Sequence, residues 1–426
     1  MRLRGNVITE NRGQILNDTR STRHVPIPLL STVALASPLA LNLFVPAMPD
    51  ATNSLGVDIH TMQLTFTCYL LTLAIGQLLA GPLADFFGRR PVLLWGLALH
   101  VVGSVVAGLA GDIISLVLGR ILQALGGATA MALARTIIVD VYGRQGAAGK
   151  MGYMVMSIAI AQSIAPTLGG FLNLWYGWNS TFLLPVVMGA SVAGLAWRWL
   201  PETCQQPSDN LRIGRVLGQY RQVLMSPEYL GYALSTTFIA TAFYMFVGSA
   251  PYIVSDQLGG NSAQFGSWFL TVSLAFMAGS FLSTRLATRL DIDRMVMLGN
   301  GLSLAGTLLL LLVAIQDQQG IWALTFTGLF LPMALVTFGR GLSQPNAQSG
   351  AIASTTGAAG TASGLMGFIQ LLTGATMAQL TPWLMHQSLV VLMGCITAAP
   401  ILAMLAHRYS WQRRKVAHTE AACDNR

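Results

Sequence analysis

Long runs of apolar residues, separated by short polar stretches, occur along almost the whole chain. A run of about 18 residues or more can cross the hydrocarbon core of a bilayer, about 30 Å thick, at about 1.5 Å per helical residue. Twelve such runs occur, at residues 27–49, 63–84, 91–110, 113–135, 151–173, 180–200, 229–251, 264–284, 295–315, 320–339, 357–380 and 388–406. The pattern predicts an all-α integral membrane protein with twelve transmembrane helices.

The predicted segments form two groups of six, joined by a polar connection. This division predicts a cytoplasmic N-terminal segment, a six-helix half, a cytoplasmic connecting loop, a second six-helix half and a cytoplasmic tail, at residues 1–26, 27–200, 201–228, 229–406 and 407–426. Duplicated six-helix halves are a common transporter architecture, with the substrate site at their interface near the middle of the bilayer. The organisation therefore favours a transporter.

Composition and charge placement agree with this interpretation. The chain of 426 residues is 53% hydrophobic and 9% charged, whereas a soluble domain carries about 25% charged residues. Its net charge of +8 could indicate nucleic-acid binding, but all of the 24 Lys and Arg residues except Arg120 lie on one side of the alternating path. Because basic residues mark the cytoplasmic side, we expect both termini in the cytoplasm and no nucleic-acid partner.

Other functional classes find little support in the sequence. The polar N-terminal stretch lacks the apolar core and cleavage site of a secretory signal, so segment 1 is expected to remain as an anchor. The four cysteines do not have the spacing of metal ligands. No cluster of His, Asp or Glu suits a membrane enzyme. We therefore expect no metal, no organic cofactor and no enzymatic activity.

Arg120 lies inside segment 4, about 10 Å down the helix. Charges at this depth are costly and usually functional, and a guanidinium keeps its proton. No acidic residue lies in the middle of a predicted segment. The uncharged candidate partners are Asn42, Gln123 and Gln370, and the nearest acids on the outer side are Asp50 and Asp112. The alternative is that the arginine side chain extends to the outer surface.

His100 lies in the centre of segment 3. A histidine titrates near neutral pH and could carry a proton across the membrane. A structural histidine, held by hydrogen bonds to neighbouring helices, is the alternative. The sequence leaves both interpretations open.

The turn after segment 2 has a recognisable motif. Its sequence is Gly81-Pro82-Leu83-Ala84-Asp85-Phe86-Phe87-Gly88-Arg89-Arg90. This turn resembles the G-x-L-A-D-x-x-G-R-R signature of the major facilitator superfamily, with a phenylalanine at the usual basic position. The resemblance implies that Gly81, Asp85, Gly88, Arg89 and Arg90 stabilise one state of a transport cycle.

Two further motifs resemble the same superfamily. Arg120, Gln123 and Gly126 resemble its R-x-x-Q-x-x-G pattern, whose arginine is implicated in proton coupling. Segment 5 is similar to the G-x3-G-P-x2-G-G motif of the exporters, with alanine in place of both leading glycines; the matching residues are Ala161, Ala165, Pro166, Gly169 and Gly170. The resemblance implies the major facilitator fold and outward transport.

Within the superfamily, the chain most resembles the bacterial Bcr/CflA drug-resistance group, which includes bicyclomycin and chloramphenicol exporters. Residues 45–49, Val-Pro-Ala-Met-Pro, resemble the L-P-A-L-P of that group. The group carries an aspartate four residues before the first proline, where this chain has Asn42. Because an amide cannot exchange protons, Asp50 or His100 is the predicted replacement carrier.

Together these features predict a secondary transporter of the bacterial inner membrane that exports drug-like small molecules by proton antiport and alternating access. Its partners would be the solute, protons and the lipid bilayer; the proton gradient would supply the energy, and the protein would act as a monomer. The unpaired Arg120 supports an alternative, in which the solute is an anionic or zwitterionic metabolite such as a carboxylate siderophore. A membrane sensor or receptor with a transporter fold is the alternative from another class.

Overall fold

The computed structural model describes residues 25–204, 213–355 and 359–424. Its long helices, numbered in chain order, are α1 Ile27–Leu55, α2 Ile59–Phe87, α3 Arg89–Gly108, α4 Ile113–Gly143, α5 Gly149–Tyr176, α6 Trp178–Trp199, α7 Pro227–Gln257, α8 Ser262–Leu286, α9 Ile292–Gln318, α10 Phe326–Ala353, α11 Ala359–Gln387 and α12 Leu389–Asp424. A short helix, Ile213–Leu224, lies in the connection between α6 and α7.

The predicted all-helical membrane fold is confirmed. Within the described ranges, 11 of these helices are long and apolar enough to cross a membrane. The exception is α11, which is 29 residues long but carries many small and polar side chains. The count of twelve crossings and the cytoplasmic location of both termini stay predictions.

The backbone departs from regular α-helical geometry at two places where the sequence accounts for it. In α1, a 3-10 turn at Val45–Ala47 separates two α-helical parts, because Pro46 has no N–H for the helical hydrogen-bond pattern. Between α4 and α5, the chain turns at Gly143, whose φ of +67° lies in the left-handed region. This conformation favours glycine, which has no Cβ.

The helix α10 extends further than the sequence predicts. Its predicted segment, residues 320–339, ends just before Arg340, whereas the helix spans Phe326–Ala353. Its second half contains Asn346, which lowers hydropathy but is buried in the bundle, where its Nδ2 donates to Ser283 Oγ at 2.8 Å. The expectation that Arg340 ends the segment on the cytoplasmic side is therefore wrong, because this residue lies near the middle of the helix.

Among the described residues, the buried apolar cluster that both halves share lies at one end of the molecule. We call the end that carries Asp50 and Asp112 the outer end, following the predicted topology. Near it, one apolar cluster contains residues of both halves, including Phe44, Phe66, Tyr252 and Phe330. Toward the inner end each half has a cluster of its own; one includes Leu93, Leu97, Leu133 and Ile137, and the other Tyr229, Tyr232, Val296 and Ala347.

Hydrogen bonds between the halves follow the same division. The hydroxyls of Thr52 and Tyr252 are 3.1 Å apart, and Ser262 Oγ donates to the carbonyl of Gly170 at 3.0 Å. Three more bonds between nitrogen or oxygen atoms link the halves; they join Thr67 to Gln379, Gln379 to His60 and Thr167 to Gly266. All five lie toward the outer end. These hydrogen bonds therefore join the halves at that end.

Candidate functional site

Arg120 lies in α4 and is completely buried. Its Nη1 donates to the backbone carbonyl of Ala40 in α1, at 3.2 Å, and to Gln123 Oε1, at 2.7 Å. Gln123 is one helical turn along α4, so its side chain lies on the same face as the arginine. The predicted pairing of Arg120 with Gln123 therefore occurs in the structure.

Aromatic rings surround the guanidinium. Its Cζ is 4.0 Å from the centre of the Tyr69 ring, 5.3 Å from that of Phe44 and 5.8 Å from that of Phe182. The Tyr69 hydroxyl donates to the carbonyl of Ser37 at 3.0 Å, which fixes this ring. The π face of an aromatic ring attracts a cation, more strongly where water is excluded. The rings of α1, α2 and α6 thus stabilise the charge in place of a carboxylate.

This environment limits what Arg120 can contact. Its Nε and Nη2 have no hydrogen-bond partner among the described residues, and no described acidic side chain forms an ion pair with it. Complete burial excludes extension of the side chain to the outer surface. In this conformation Arg120 is enclosed by protein and does not face a wet cavity.

His100 and Ser104 of α3 complete the cluster. Gln123 Nε2 donates to Ser104 Oγ at 2.7 Å, and Ser104 Oγ donates to the carbonyl of His100 at 2.6 Å. His100 Nδ1 lies 2.9 Å from the carbonyl oxygen of Gln123, so this nitrogen carries the proton. The chain of bonds joins His100, Gln123 and Arg120 in one buried network between α3 and α4.

The other candidate partners of Arg120 lie elsewhere. Asn42 is on the wall of a central cavity and donates through Nδ2 to the carbonyl of Pro38 at 2.7 Å. Asp50 is exposed at the outer end, where it accepts a hydrogen bond from Asn173. Gln370 belongs to the other half and donates to Thr236 Oγ1 at 3.1 Å. Asp112 instead accepts a hydrogen bond from the backbone N–H of Ser115 at the start of α4. None of these four forms a hydrogen bond or ion pair with the guanidinium among the described contacts.

The central cavity lies between the two halves. It contains about 660 Å³ of empty space, a figure that includes open solvent at its mouth. Aromatic rings form part of its wall, namely those of Phe66, Phe243, Tyr244, Phe269 and Phe276. Polar groups interrupt this apolar surface at Asn42, Gln162, Ser273 and Arg340.

Arg340 is the functional candidate that the sequence interpretation missed. It lines the cavity from α10, and its Nε donates to Gln344 Oε1 at 2.9 Å. Its Cζ lies 4.4 Å from the Phe243 ring centre and 5.4 Å from that of Phe276. A search for charges in the middle of a helix would have found it if the polar second half of α10 had been included in the predicted segment.

The motif turn between α2 and α3 is held by charged groups. Arg89 forms ion pairs with Asp85 and with Asp140 of α4, the latter at 3.1 Å, and Arg90 Nη2 donates to the carbonyl of Trp197 at 2.8 Å. Gly88 has a φ of +95°, which favours glycine. Three of the five predicted motif residues therefore connect α2, α3, α4 and α6, while Gly81 has no neighbour within 4 Å of the position that a Cβ would take.

The carboxylate of Glu202 completes this turn. It accepts hydrogen bonds from the backbone nitrogens of Arg89, at 2.9 Å, and Arg90, at 3.1 Å. These N–H groups begin α3 and have no partner within the helix. Glu202 thus caps α3 from the connecting segment, a role that no local motif indicates.

The predicted motif of α5 packs tightly against both halves. Ala165 is fully buried against Leu39 and Leu43 of α1, and Ala161 packs beside it. A Cβ at Gly169 would overlap the backbone of Leu43, and one at Gly170 would overlap that of Ser262. Pro166 contributes its carbonyl to the contact with Gly266 of α8. The small residues therefore allow α5 to touch α1 and α8 closely.

Sequence comparison assigns the family. The profile of the Major Facilitator Superfamily matches residues 30–378. The chain belongs to this superfamily. A chloramphenicol resistance protein of Pseudomonas aeruginosa is 31% identical over 89% of this chain and 89% of its own length. A bicyclomycin resistance protein homolog of Haemophilus influenzae is 25% identical over 93% of this chain and 98% of its own length.

Solved structures of the superfamily have the same fold. The crystal structure of a D-xylose-proton symporter superposes with a TM-score of 0.72 at 14% identity, covering 90% of this chain and 96% of that chain. The predicted major facilitator fold and the resemblance to the Bcr/CflA group are confirmed by these relatives. This superfamily member is a multi-pass protein of the bacterial inner membrane.

Proposed function

We propose that this protein is a secondary transporter that exports drug-like small molecules from the cytoplasm in exchange for protons. The observation that carries the proposal is the central cavity, which lies between two halves that hydrogen bonds join toward the outer end. Its aromatic wall suits flat, apolar solutes. The resistance proteins among the relatives support a drug as the solute.

Alternating access follows from the division of contacts between the halves. Rocking the halves would break the outer contacts of α5 with α8 and of α1 with α7, and would bring the inner ends together. The charged turn at Arg89 lies at the inner end, where it would respond to this closure. The cavity and both ends come from a single chain, which supports a monomer as the working unit.

Arg120 has a positioning role in this scheme. Its hydrogen bond to Ala40 O holds α1 against α4 beside Leu41 and Asn42, which both line the cavity. A movement of α1 at the cavity wall would therefore change the hydrogen bond between Ala40 and Arg120. The solute itself does not reach Arg120 in this conformation.

Asp50 is the better placed of the two predicted proton carriers. It is exposed at the outer end and lines a small pocket with Pro251, Asn261 and Ser262 of the other half. Protons enter a proton-coupled exporter from outside. They would reach Asp50 at the outer contact between the halves, which must separate during transport. His100, in contrast, is buried beside Arg120, and a second positive charge in the same dry cluster would be unfavourable.

Transport in everted membrane vesicles tests the proposal. With an acid lumen, the wild type is expected to accumulate chloramphenicol. Asp50→Asn should lose most of the gradient-driven accumulation but keep exchange of solute without a gradient, because Asp50 does not line the central cavity. Asn42→Asp, which adds a carboxylate to the cavity wall, should make export more dependent on pH.

Asp58→Asn is the matched control, since Asp58 is also an exposed acid near the outer end. It accepts a hydrogen bond from the backbone N–H of Thr61 at 2.6 Å, which lowers the pKa of this carboxyl. The group therefore stays ionised through the assay, and its variant should transport normally. Gradient-driven transport by Asp50→Asn at the wild-type rate would reject Asp50, and a loss confined to His100→Gln would place the proton route in the buried cluster.

A further inference from the structure

Arg340 is a cation in the middle of the membrane that no described carboxylate neutralises. It lies about 20 Å from either end of α10, at about 1.5 Å per residue. Among the described residues, the ion pairs join Arg89, Arg294 and His407 to acidic side chains, and none involves Arg340. A charge at this depth is retained for a partner or for a ligand.

Most of the hydrogen-bond donors of Arg340 are free. A guanidinium has five N–H donors, and only Nε makes a hydrogen bond to a described group, Gln344 Oε1. The faces of the Phe243 and Phe276 rings attract the guanidinium by cation–π interaction. The donors on Nη1 and Nη2 remain available, and a carboxylate or similar anion accepts two such bonds in parallel.

The surroundings of Arg340 distinguish it from the other buried arginine. Arg120 has no exposed surface and does not line the cavity, so a solute cannot reach it without rearrangement. Arg340 lines the cavity and is only partly buried. The two cations thus have separate tasks: one fixes helix positions, and the other faces the space in which a solute would lie.

The rest of the cavity wall defines the shape and polarity of a ligand. Arg340 is the one charged residue among the described residues that line it. The amide of Gln162 and the hydroxyl of Ser273 supply neutral polar groups, and aromatic rings supply apolar surface. A cationic solute would meet an unbalanced positive charge here, whereas an anionic aromatic solute would neutralise it.

We infer that Arg340 binds the anionic group of the exported solute, and that the preferred solutes are small aromatic anions such as carboxylates. The carboxylate would accept hydrogen bonds from the free N–H groups of Arg340 while the ring of the solute packs against Phe243 and Phe276. This inference rests on the proposed export function and specifies the class of molecule that the cavity selects.

Three fluorescent probes of nearly equal shape test the selection. They are anthracene-9-carboxylate, which is anionic, anthracene-9-carboxamide, which is neutral, and 9-(aminomethyl)anthracene, which is cationic. Binding to the purified wild type should be strongest for the carboxylate. In Arg340→Gln, affinity for the carboxylate should fall roughly 10-fold to 100-fold, as expected for loss of charged hydrogen bonds, while affinity for the carboxamide stays nearly constant.

Two variants control for folding and for general charge effects. Arg340→Lys keeps the charge but lacks the planar pair of donors, so it should retain part of the preference for the carboxylate. Arg285→Gln removes an exposed arginine whose Cζ also lies over a phenylalanine ring, 5.1 Å from the centre of Phe281 and outside the cavity. It should bind all three probes as the wild type does.

The outcomes separate this inference from the proposed function. Equal wild-type affinity for the three probes, or an equal loss for all three in Arg340→Gln, would overturn the role of Arg340. If pH-driven export of the carboxamide persists in that case, the exporter proposal stands. Selective binding of the carboxylate through Arg340, with no pH-driven flux of any probe, would support the anion site and reject export.

Discussion

Gln123 bridges Arg120 and Ser104 with the two ends of one amide: Oε1 lies 2.7 Å from the arginine Nη1, and Nε2 lies 2.7 Å from the serine hydroxyl. An amide has both an acceptor and a donor, so it can satisfy a cation on one side and a hydroxyl on the other. An ionised carboxylate in its place could accept from the cation but could not donate to the serine hydroxyl. The bridge therefore fixes the distance between α3 and α4 at the depth of the buried charge.

Removing Arg120 is expected to abolish export. Arg120→Ala leaves Gln123 Oε1 buried without its donor, which costs about 1–3 kcal/mol of stability, and it releases α1 from α4. Arg120→Lys should also lose export, because an ammonium is not planar and cannot stack on the Tyr69 ring as a guanidinium can. Drug export and melting temperature are the measurements, with the exposed Arg198→Ala as control. Normal export by Arg120→Ala would show that the buried cluster is not needed for transport.

Closing the outer end should depend on Gly170. In Gly170→Ala the new methyl group would collide with the carbonyl of Ser262, and such overpacking costs about 1–3 kcal/mol. We expect a lower melting temperature and increased labelling of a cysteine placed at Thr52, because α5 and α8 can no longer approach. Gly152→Ala is the matched control on the same helix, since its Cβ meets nothing within 4 Å. Equal melting temperatures and equal labelling in the two variants would contradict a role for Gly170 in closing the outer end.

The cap on α3 predicts a graded effect at Glu202. Both carboxylate oxygens accept backbone hydrogen bonds, so Glu202→Gln keeps one acceptor and Glu202→Ala keeps none. The alanine variant should lose about 1 kcal/mol of stability, as for other caps, and the glutamine variant less. Thermal unfolding measures this order. A glutamine variant that is less stable than the alanine variant would argue against a capping role.

Much of the bundle could be predicted because lipid imposes a simple rule on length and polarity. Arg120 was also predictable, since a charge among apolar residues is conspicuous. Its aromatic surroundings were not, because Phe44, Tyr69 and Phe182 are separated by long stretches of sequence and look like ordinary apolar residues of three segments. Their common function exists only after α1, α2 and α6 have packed around α4.

The sequence interpretation missed Arg340 and Glu202 for opposite reasons. Arg340 lies in the middle of α10, whose second half is polar, so the hydropathy pattern predicts a segment that ends too early. Glu202 lies in a polar connection, where one more acidic residue gives no signal. It contacts a turn more than one hundred residues earlier in the chain, and only the folded structure brings the two together.

The outer hydrogen bonds between the halves have an energetic consequence for a proton-driven cycle. Five bonds between nitrogen or oxygen atoms join the halves there, and each contributes about 0.5–1.5 kcal/mol net. One proton crossing a potential of 100 mV releases only about 2.3 kcal/mol. The five bonds together represent about 2.5–7.5 kcal/mol, so a single proton at this potential falls short of opening the outer end alone. Contacts that form at the inner end during the same movement must supply the difference.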